Sequence, residues 1–256
     1  MVARKPLVIM VFNETIYFYY KTGKNFELGD ISIAGLISDG KILDIHVFAE
    51  KISQFIKDNH IKQKKARLIL KTSECIIRFA TLPYVSGHDL EGLVFNNIND
   101  YFPVSTAGYA ISYKVLPGKT KQTEIMLAAL SEEISAPYIS ILSEIGIKLE
   151  RIDVFQNSAL NLFDSEETVL LILLQPNKLT VMITEKGVPK AARDIHEPSA
   201  EHTLDEINRL IAFYGINQNA KIYAPAAEYS QIAEYVSGIE IHPIDFLQLM
   251  KESITQ

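Results

Sequence analysis

Six histidines, one cysteine and a scatter of acidic residues are the groups in this chain with the chemistry to catalyse or to ligate. His196 and His202 flank Pro198, with Glu197 and Glu201 beside them. A metal site needs ligands that converge on one face. Spacing through a proline-containing turn does not enforce convergence, so a solvated loop is the better reading and no metal is expected. Ser73-Glu74 and Asp153 find no histidine with which the sequence would build a triad. Asp194 follows Arg193 and reads as half of a surface ion pair. Cys75 lies in the apolar run Cys75–Ala80, so a buried, inert thiol is expected and a disulfide within the chain is excluded. Such cysteine usage fits a reducing compartment. The run Tyr17-Phe18-Tyr19-Tyr20 could stack bases. Alternation along a strand, with Tyr17 and Tyr19 on one face and Phe18 and Tyr20 on the other, explains it without a ligand. The basic cluster Lys62-Gln63-Lys64-Lys65 is short, and the formal net charge is −6, which argues against nucleic acid as a partner.

The elements that would have to position these groups form an α/β pattern. With 256 residues, 48% of them apolar, the chain can bury a sizeable core. Leu7–Phe12 and Thr15–Tyr20 read as a hairpin, and Ile31–Ile37 as a third strand. Asp44 is the expected cap of a helix carrying Val47, Ile52, Phe55 and Ile56 on one face. Strands Arg67–Leu70 and Cys75–Leu82 follow, stopped by Pro83. A helix over His88–Tyr101, strands Tyr109–Leu116 and Glu124–Leu130 around Pro117-Gly118-Lys119, a helix from Ser131 to Gly146 and a strand Leu149–Val154 come next. A helical link at Gln156–Phe163 leads to a second hairpin, Val169–Leu174 with Leu179–Thr184, and then to strand Val188–Ile195. Helix Leu204–Phe213, strand Lys221–Ala224, helix Glu228–Val236 and an edge strand Glu240–His242 complete the order. A hairpin, a longer strand and a helix recur in both halves, which suggests a duplicated architecture. The expected divisions are a first lobe over 1–83, an inserted αββαβ unit over 84–155 and a second lobe over 156–256. Met1–Pro6 is basic, but the apolar run after it breaks at Asn13-Glu14, so no signal peptide is expected. The longest apolar stretch, Val169–Leu174, is far short of the ~20 residues of a membrane span.

The middle of the chain resembles the PilM family, the actin-like cytoplasmic proteins of type IV pilus assembly. The resemblance rests on Leu82-Pro83, on Asp89-Leu90-Glu91 opening a helix, on Asn99-Asp100-Tyr101-Phe102-Pro103, and on Ile111-Ser112-Tyr113-Lys114-Val115-Leu116. Met126–Ala129, Ser131–Gly146 and Gly146–Val154 look like the next strand, helix and strand. It extends more weakly to FtsA and to the cytoplasmic domain of GspL-type secretion proteins. It implies an actin-like (ribonuclease H-like) two-lobed α/β fold with an inserted subdomain. It also implies a scaffold of the inner-membrane platform, cytoplasmic and held at the membrane's inner face by a partner. That partner would be the cytoplasmic tail of a PilN-like bitopic protein, alongside other platform or motor subunits. The tail is expected between the first lobe and the insert, against Ile77, Phe79, Leu82, Pro83, Tyr101, Phe102 and Pro103.

The departures from the family pattern fall on its nucleotide loops. Where the first loop would carry Asp, Gly and Lys, this chain has Met10, Phe12 and Tyr17. The second loop's Asp and Gly fall at Leu171 and Leu173, and Ala226, Ala227 and Glu228 replace glycines on the adenosine side. Phosphates are held by backbone N–H groups of tight turns, where glycine lets the backbone approach and adopt positive φ. Each charge-assisted hydrogen bond lost costs roughly 1.5–3 kcal/mol. A shortened second lobe, with the loss between Ile195 and Leu204, points the same way. The expectation is a pseudo-ATPase without cofactor, not an enzyme. An ATP-retaining switch and a GspL-like cytoplasmic domain, with 246–256 leading toward a membrane span, are the alternatives.

Overall fold

Two strands buried on both faces, one in each half of the chain, organise the molecule. The computed structural model describes residues 5–85, 87–102, 105–117, 121–163, 168–185, 188–215, 220–236 and 240–255. Strand β1 (Leu7–Phe12) turns at Asn13, whose φ of 51° suits a residue that tolerates the left-handed region, into β2 (Thr15–Thr22). Gly23, at φ 63°, then closes a second hairpin into β3 (Asn25–Ser32). The third strand therefore lies earlier than the expected Ile31–Ile37, because a glycine turn reverses the chain first. A two-residue hairpin comes next, β4 (Ile37–Ser38) and β5 (Lys41–Ile42), around Asp39 and Gly40.

Helix α1 (Ile45–Asp58) starts where expected, with Asp44 accepting the Val47 N–H at 3.1 Å. Its buried anchors are Phe48 and Ile52, whereas Val47 is exposed. Strand β6 (Lys65–Leu70) lies parallel to β1. It leads to β7 (Cys75–Pro83), α2 (Gly87–Asn96) and α3 (Ile98–Tyr101), two helices broken at Asn97 where one was expected. Strands β8 (Tyr109–Val115) and β9 (Gln122–Ser131), helix α4 (Glu132–Glu144) and β10 (Lys148–Val154) complete the first half. The second half runs α5 (Phe155–Leu160), β11 (Thr168–Gln175), β12 (Lys178–Glu185), β13 (Val188–His196), α6 (Ala200–Phe213), β14 (Lys221–Pro225), a 3-10 turn at Ala226–Glu228, α7 (Tyr229–Tyr235), β15 (Ile241–Ile244) and α8 (Phe246–Thr255).

Two five-stranded sheets share one plan. The first has the order β10-β6-β1-β2-β3 and the second β13-β12-β11-β14-β15. In each, an antiparallel meander of three strands is extended by two parallel ones. The repeated hairpin-strand-helix pattern in the sequence is therefore real duplication of architecture.

The expected insert boundary of 84–155 moves. Strands β7, β9 and β8 make a sheet of their own with α2 and α3 on one face, so this unit spans 75–131. Helix α4 belongs to the first lobe: Ile134, Tyr138, Ile141 and Leu142 close its core over Phe48. Strand β10 pairs in parallel with β6. The buried Tyr138 hydroxyl donates to the Gly40 carbonyl at 2.7 Å and fixes α4 to the β4–β5 turn.

Gly40 sits at φ 84°, and a Cβ there would lie 2.9 Å from the Thr72 Cβ. Gly40→Ala is expected to cost about 1–3 kcal/mol, readable as a lowered urea midpoint. Among the described residues no helix is long and apolar enough to cross a membrane. Helix α8 packs Phe246, Leu249 and Met250 between the lobes.

Candidate functional site

Two regions fall where the sequence directs attention: the crevice between the lobes and the groove beside the middle unit. Alternation decides the first. Leu7, Ile9 and Val11 face the outer core of the first lobe, so Val8, Met10 and Phe12 face inward. On β11, Leu170 and Ile172 face outward and Leu171 and Leu173 inward. Four of the positions at which nucleotide chemistry was expected to be missing, Met10, Phe12, Leu171 and Leu173, thus meet in one interlobe core, whereas Ala226 and Ala227 are exposed at its rim. Met10, Leu171 and Leu173 are 0% exposed and Phe12 is 1% exposed. The Phe12 ring lies 5.0 Å from that of Phe155 and 4.9 Å from that of Phe246, which also touches Tyr17 at 5.2 Å. The aromatic run of β2 is accounted for by the same alternation: Phe18 stacks on Phe55 in the outer core and Tyr19 on Phe26 on the other side.

At the rim of this core, three turns meet around one carboxylate. Glu228 is 1% exposed. Its Oε1 accepts from Asn13 Nδ2 at 3.1 Å, and its Oε2 from the Leu174 N–H at 3.1 Å. Lys71 Nζ donates to Glu228 and, at 2.9 Å, to Asn13 Oδ1, and stands 4.8 Å above the Phe12 ring. Burial draws the Lys71 ammonium below the usual lysine range, opposed by the charges of Glu228 and Asp39. A cleft of about 200 Å³ remains beside Asn13, Asp39, Lys71 and Pro176. Side chains fill the interlobe core, Met10 and Leu171 stand where strand carboxylates were expected, and Glu228 is already paired with Lys71, with Glu14 and Asp39 lining the remaining cleft.

The second region is a groove of about 750 Å³. Its floor is the face of the β7-β9-β8 sheet opposite the helices, where the register sets Cys75, Leu130 and Ala110 in one row and Ile77, Ala128 and Ser112 in the next. Ile139 of α4 and Ile152 and Val154 of β10 wall it. Small residues at Ala110, Ser112 and Ala128 leave the depth. Strands β8 and β10 are both edges of their sheets. Asp153, Asn157 and Arg151 mark one side: Asn157 Nδ2 donates to Asp153 at 2.7 and 2.9 Å and Arg151 donates at 3.0 Å. The buried Oδ1 of Asn157 has no partner among the described residues.

Of the residues expected to bind a partner, Ile77 lines this groove. Phe79 shares its face but packs toward the interlobe core. Leu82 and Phe102 are buried in the middle unit's own core, and Tyr101 packs against it. Pro83 is the exposed last residue of β7, and Pro103 lies outside the described residues. The residues missed, Ala110, Ser112 and Ala128, are small and on the face opposite Tyr109, Ile111 and Tyr113. Period-two parity was the available signal.

The remaining candidates are structural. Burial, with the Asp153 charge, pushes the thiol of the half-buried Cys75 up to about 12, which disfavours the thiolate at neutral pH. The Ser73 hydroxyl is bonded to Asp39. Arg193 pairs with Glu206 rather than with its neighbour Asp194, which pairs with Lys178. Among the described residues no group of three metal-ligating side chains forms.

No family model and no curated protein matches the sequence. Solved structures do match the fold. A PilM–PilN type IV pilus biogenesis complex superposes with a TM-score of 0.74 at 14% identity, over 96% of this chain and 90% of that one. The cytoplasmic domain of EpsL, an inner-membrane component of the type II secretion system of Vibrio cholerae, gives 0.56 at 11% identity, over 99% and 96%. A Bacteroides thetaiotaomicron protein with an actin-like ATPase fold gives 0.56 at 12% identity, over 98% and 96%. The two-sheet, two-lobed architecture of this chain is accordingly the actin-like fold.

Proposed function

We propose that this protein is a non-catalytic scaffold of a type IV pilus or related secretion platform. It holds the cytoplasmic tail of a PilN-like bitopic membrane protein in the groove beside the middle unit. The observation that carries this reading is the groove itself: a large, apolar-floored trough with a sheet edge on either hand, in a chain whose interlobe crevice is filled. An extended peptide suits such a place. Its alternate side chains settle over Ala110 and Ala128, and its backbone meets the unpaired edge of β8. The likeness to a structure in which PilM is bound to PilN supports the choice of partner. The filled crevice disfavours an ATP-dependent switch. The protein would sit in the cytoplasm and reach the membrane through this partner. Likeness to the EpsL cytoplasmic domain supports a second reading, in which the same groove serves a type II secretion platform.

Calorimetric titration with synthetic tails of PilN-type proteins tests the proposal. Wild type is expected to bind at least one of them. Ala128→Phe, which puts a ring on the groove floor, is expected to weaken binding by about tenfold or more, a loss of roughly 1.4 kcal/mol. Circular dichroism should show the variant folded. Binding that ignores Ala128→Phe, or no binding by wild type, would defeat the reading.

A further inference from the structure

The donor set around Glu228 is one that proteins build for oxyanions. An ammonium, a carboxamide N–H and a backbone N–H converge on it from three chain segments. Here the oxyanion belongs to the chain. We infer that the crevice is an anion seat filled by the protein's own Glu228, and that this carboxylate latches the two lobes in one relative position. Asn13 and Lys71 lie on the first lobe, after β1 and β6. Glu228 and Leu174 lie on the second, in the 3-10 turn and at the end of β11. Every bond from Asn13 or Lys71 to Glu228 therefore crosses between lobes.

Burial makes the latch specific. Lys71 is 8% and Glu228 1% exposed, so water competes little for either charge. The Lys71 backbone N–H is itself bonded to the Val11 carbonyl at 3.0 Å, which anchors the cation to β1. Asn13 holds φ 51° and so aims its amide at both charges. This inference is independent of the groove: the two regions share none of the residues named for them.

Removing the carboxylate should expose the seat to a small anion. Glu228→Ala deletes two carbons and two oxygens, the heavy atoms of acetate. The variant is expected to melt several degrees below wild type. Acetate should restore much of that loss with a saturating dose dependence, formate less of it, and chloride at equal ionic strength none. Wild type should not respond, and adding Lys71→Met should abolish the rescue. Equal response to acetate and chloride would overturn the anion seat. Should Glu228→Ala fail to fold, Glu228→Gln keeps the volume and an acceptor for Leu174 but removes the charge. Spin labels at Lys24→Cys and Glu201→Cys, in a Cys75→Ser background, then report the interlobe distance. A broader distribution in Glu228→Gln than in its parent is expected, and an unchanged one would overturn the latch.

Discussion

Phe12→Ala should cost this protein about 3–5 kcal/mol of stability, on the scale of a large aromatic removed from a closed core. The ring is 1% exposed and wedged against Phe155 and Phe246, with the Lys71 ammonium over its face. Truncation removes the apolar burial and two aromatic contacts, each worth about 0.5–1.5 kcal/mol beyond area. It also takes the π-face from the Lys71 ammonium. The surrounding strands cannot collapse into the void, because β1 is held by partners on both sides. Urea denaturation gives the number directly.

The same variant separates two histories of the crevice. If Phe12 merely occludes a nucleotide site that otherwise survives, removing it opens that site. Mg-ATP at 100 times its dissociation constant would then stabilise Phe12→Ala by ~2.7 kcal/mol. No such gain is expected, because Leu171, Leu173 and Met10 remain and Glu228 repels a phosphate from the donors it already occupies. A loss below about 1 kcal/mol would show slack where a packed core is described.

How far the sequence could be read depends on how local each signal is. Strands β1 and β11 announce themselves by composition, and their alternation suffices to send Met10, Phe12, Leu171 and Leu173 to one side. Asp44 caps α1 through a contact three residues away, which a linear reading reaches. Strand β3 is hidden because it is a sheet edge with no fully buried residue, so its pattern carries no apolar period. The membership of α4 and β10 is hidden for a different reason. The pairing of β10 with β6 joins segments on opposite sides of the middle unit, and nothing near either strand encodes it.

The site shows the same split. The groove lies between the expected elements, yet Leu82 stands an odd number of residues from Ile77 and so faces the helices, not the trough. In the sequence Glu228 reads as a missing glycine. Its role depends on Lys71, a residue 157 positions away, and so lies beyond any motif.

That distant pairing sets up the second large effect. Lys71→Met is expected to destabilise by about 3–5 kcal/mol, since it strands a buried carboxylate whose remaining partners are neutral. Glu228→Leu should cost a similar amount by stranding the ammonium. The double variant is the informative one. With both charges gone, Asn13 and the Leu174 N–H still want an acceptor, but the desolvated charge is no longer there. Its cost should fall short of the sum of the single variants by roughly 0.5–3 kcal/mol, the range for residues in direct contact. Additivity within about 0.5 kcal/mol would mean that Lys71 and Glu228 act separately. The interlobe bond would then be incidental to stability, and the aromatic core around Phe12 alone would be holding the lobes together.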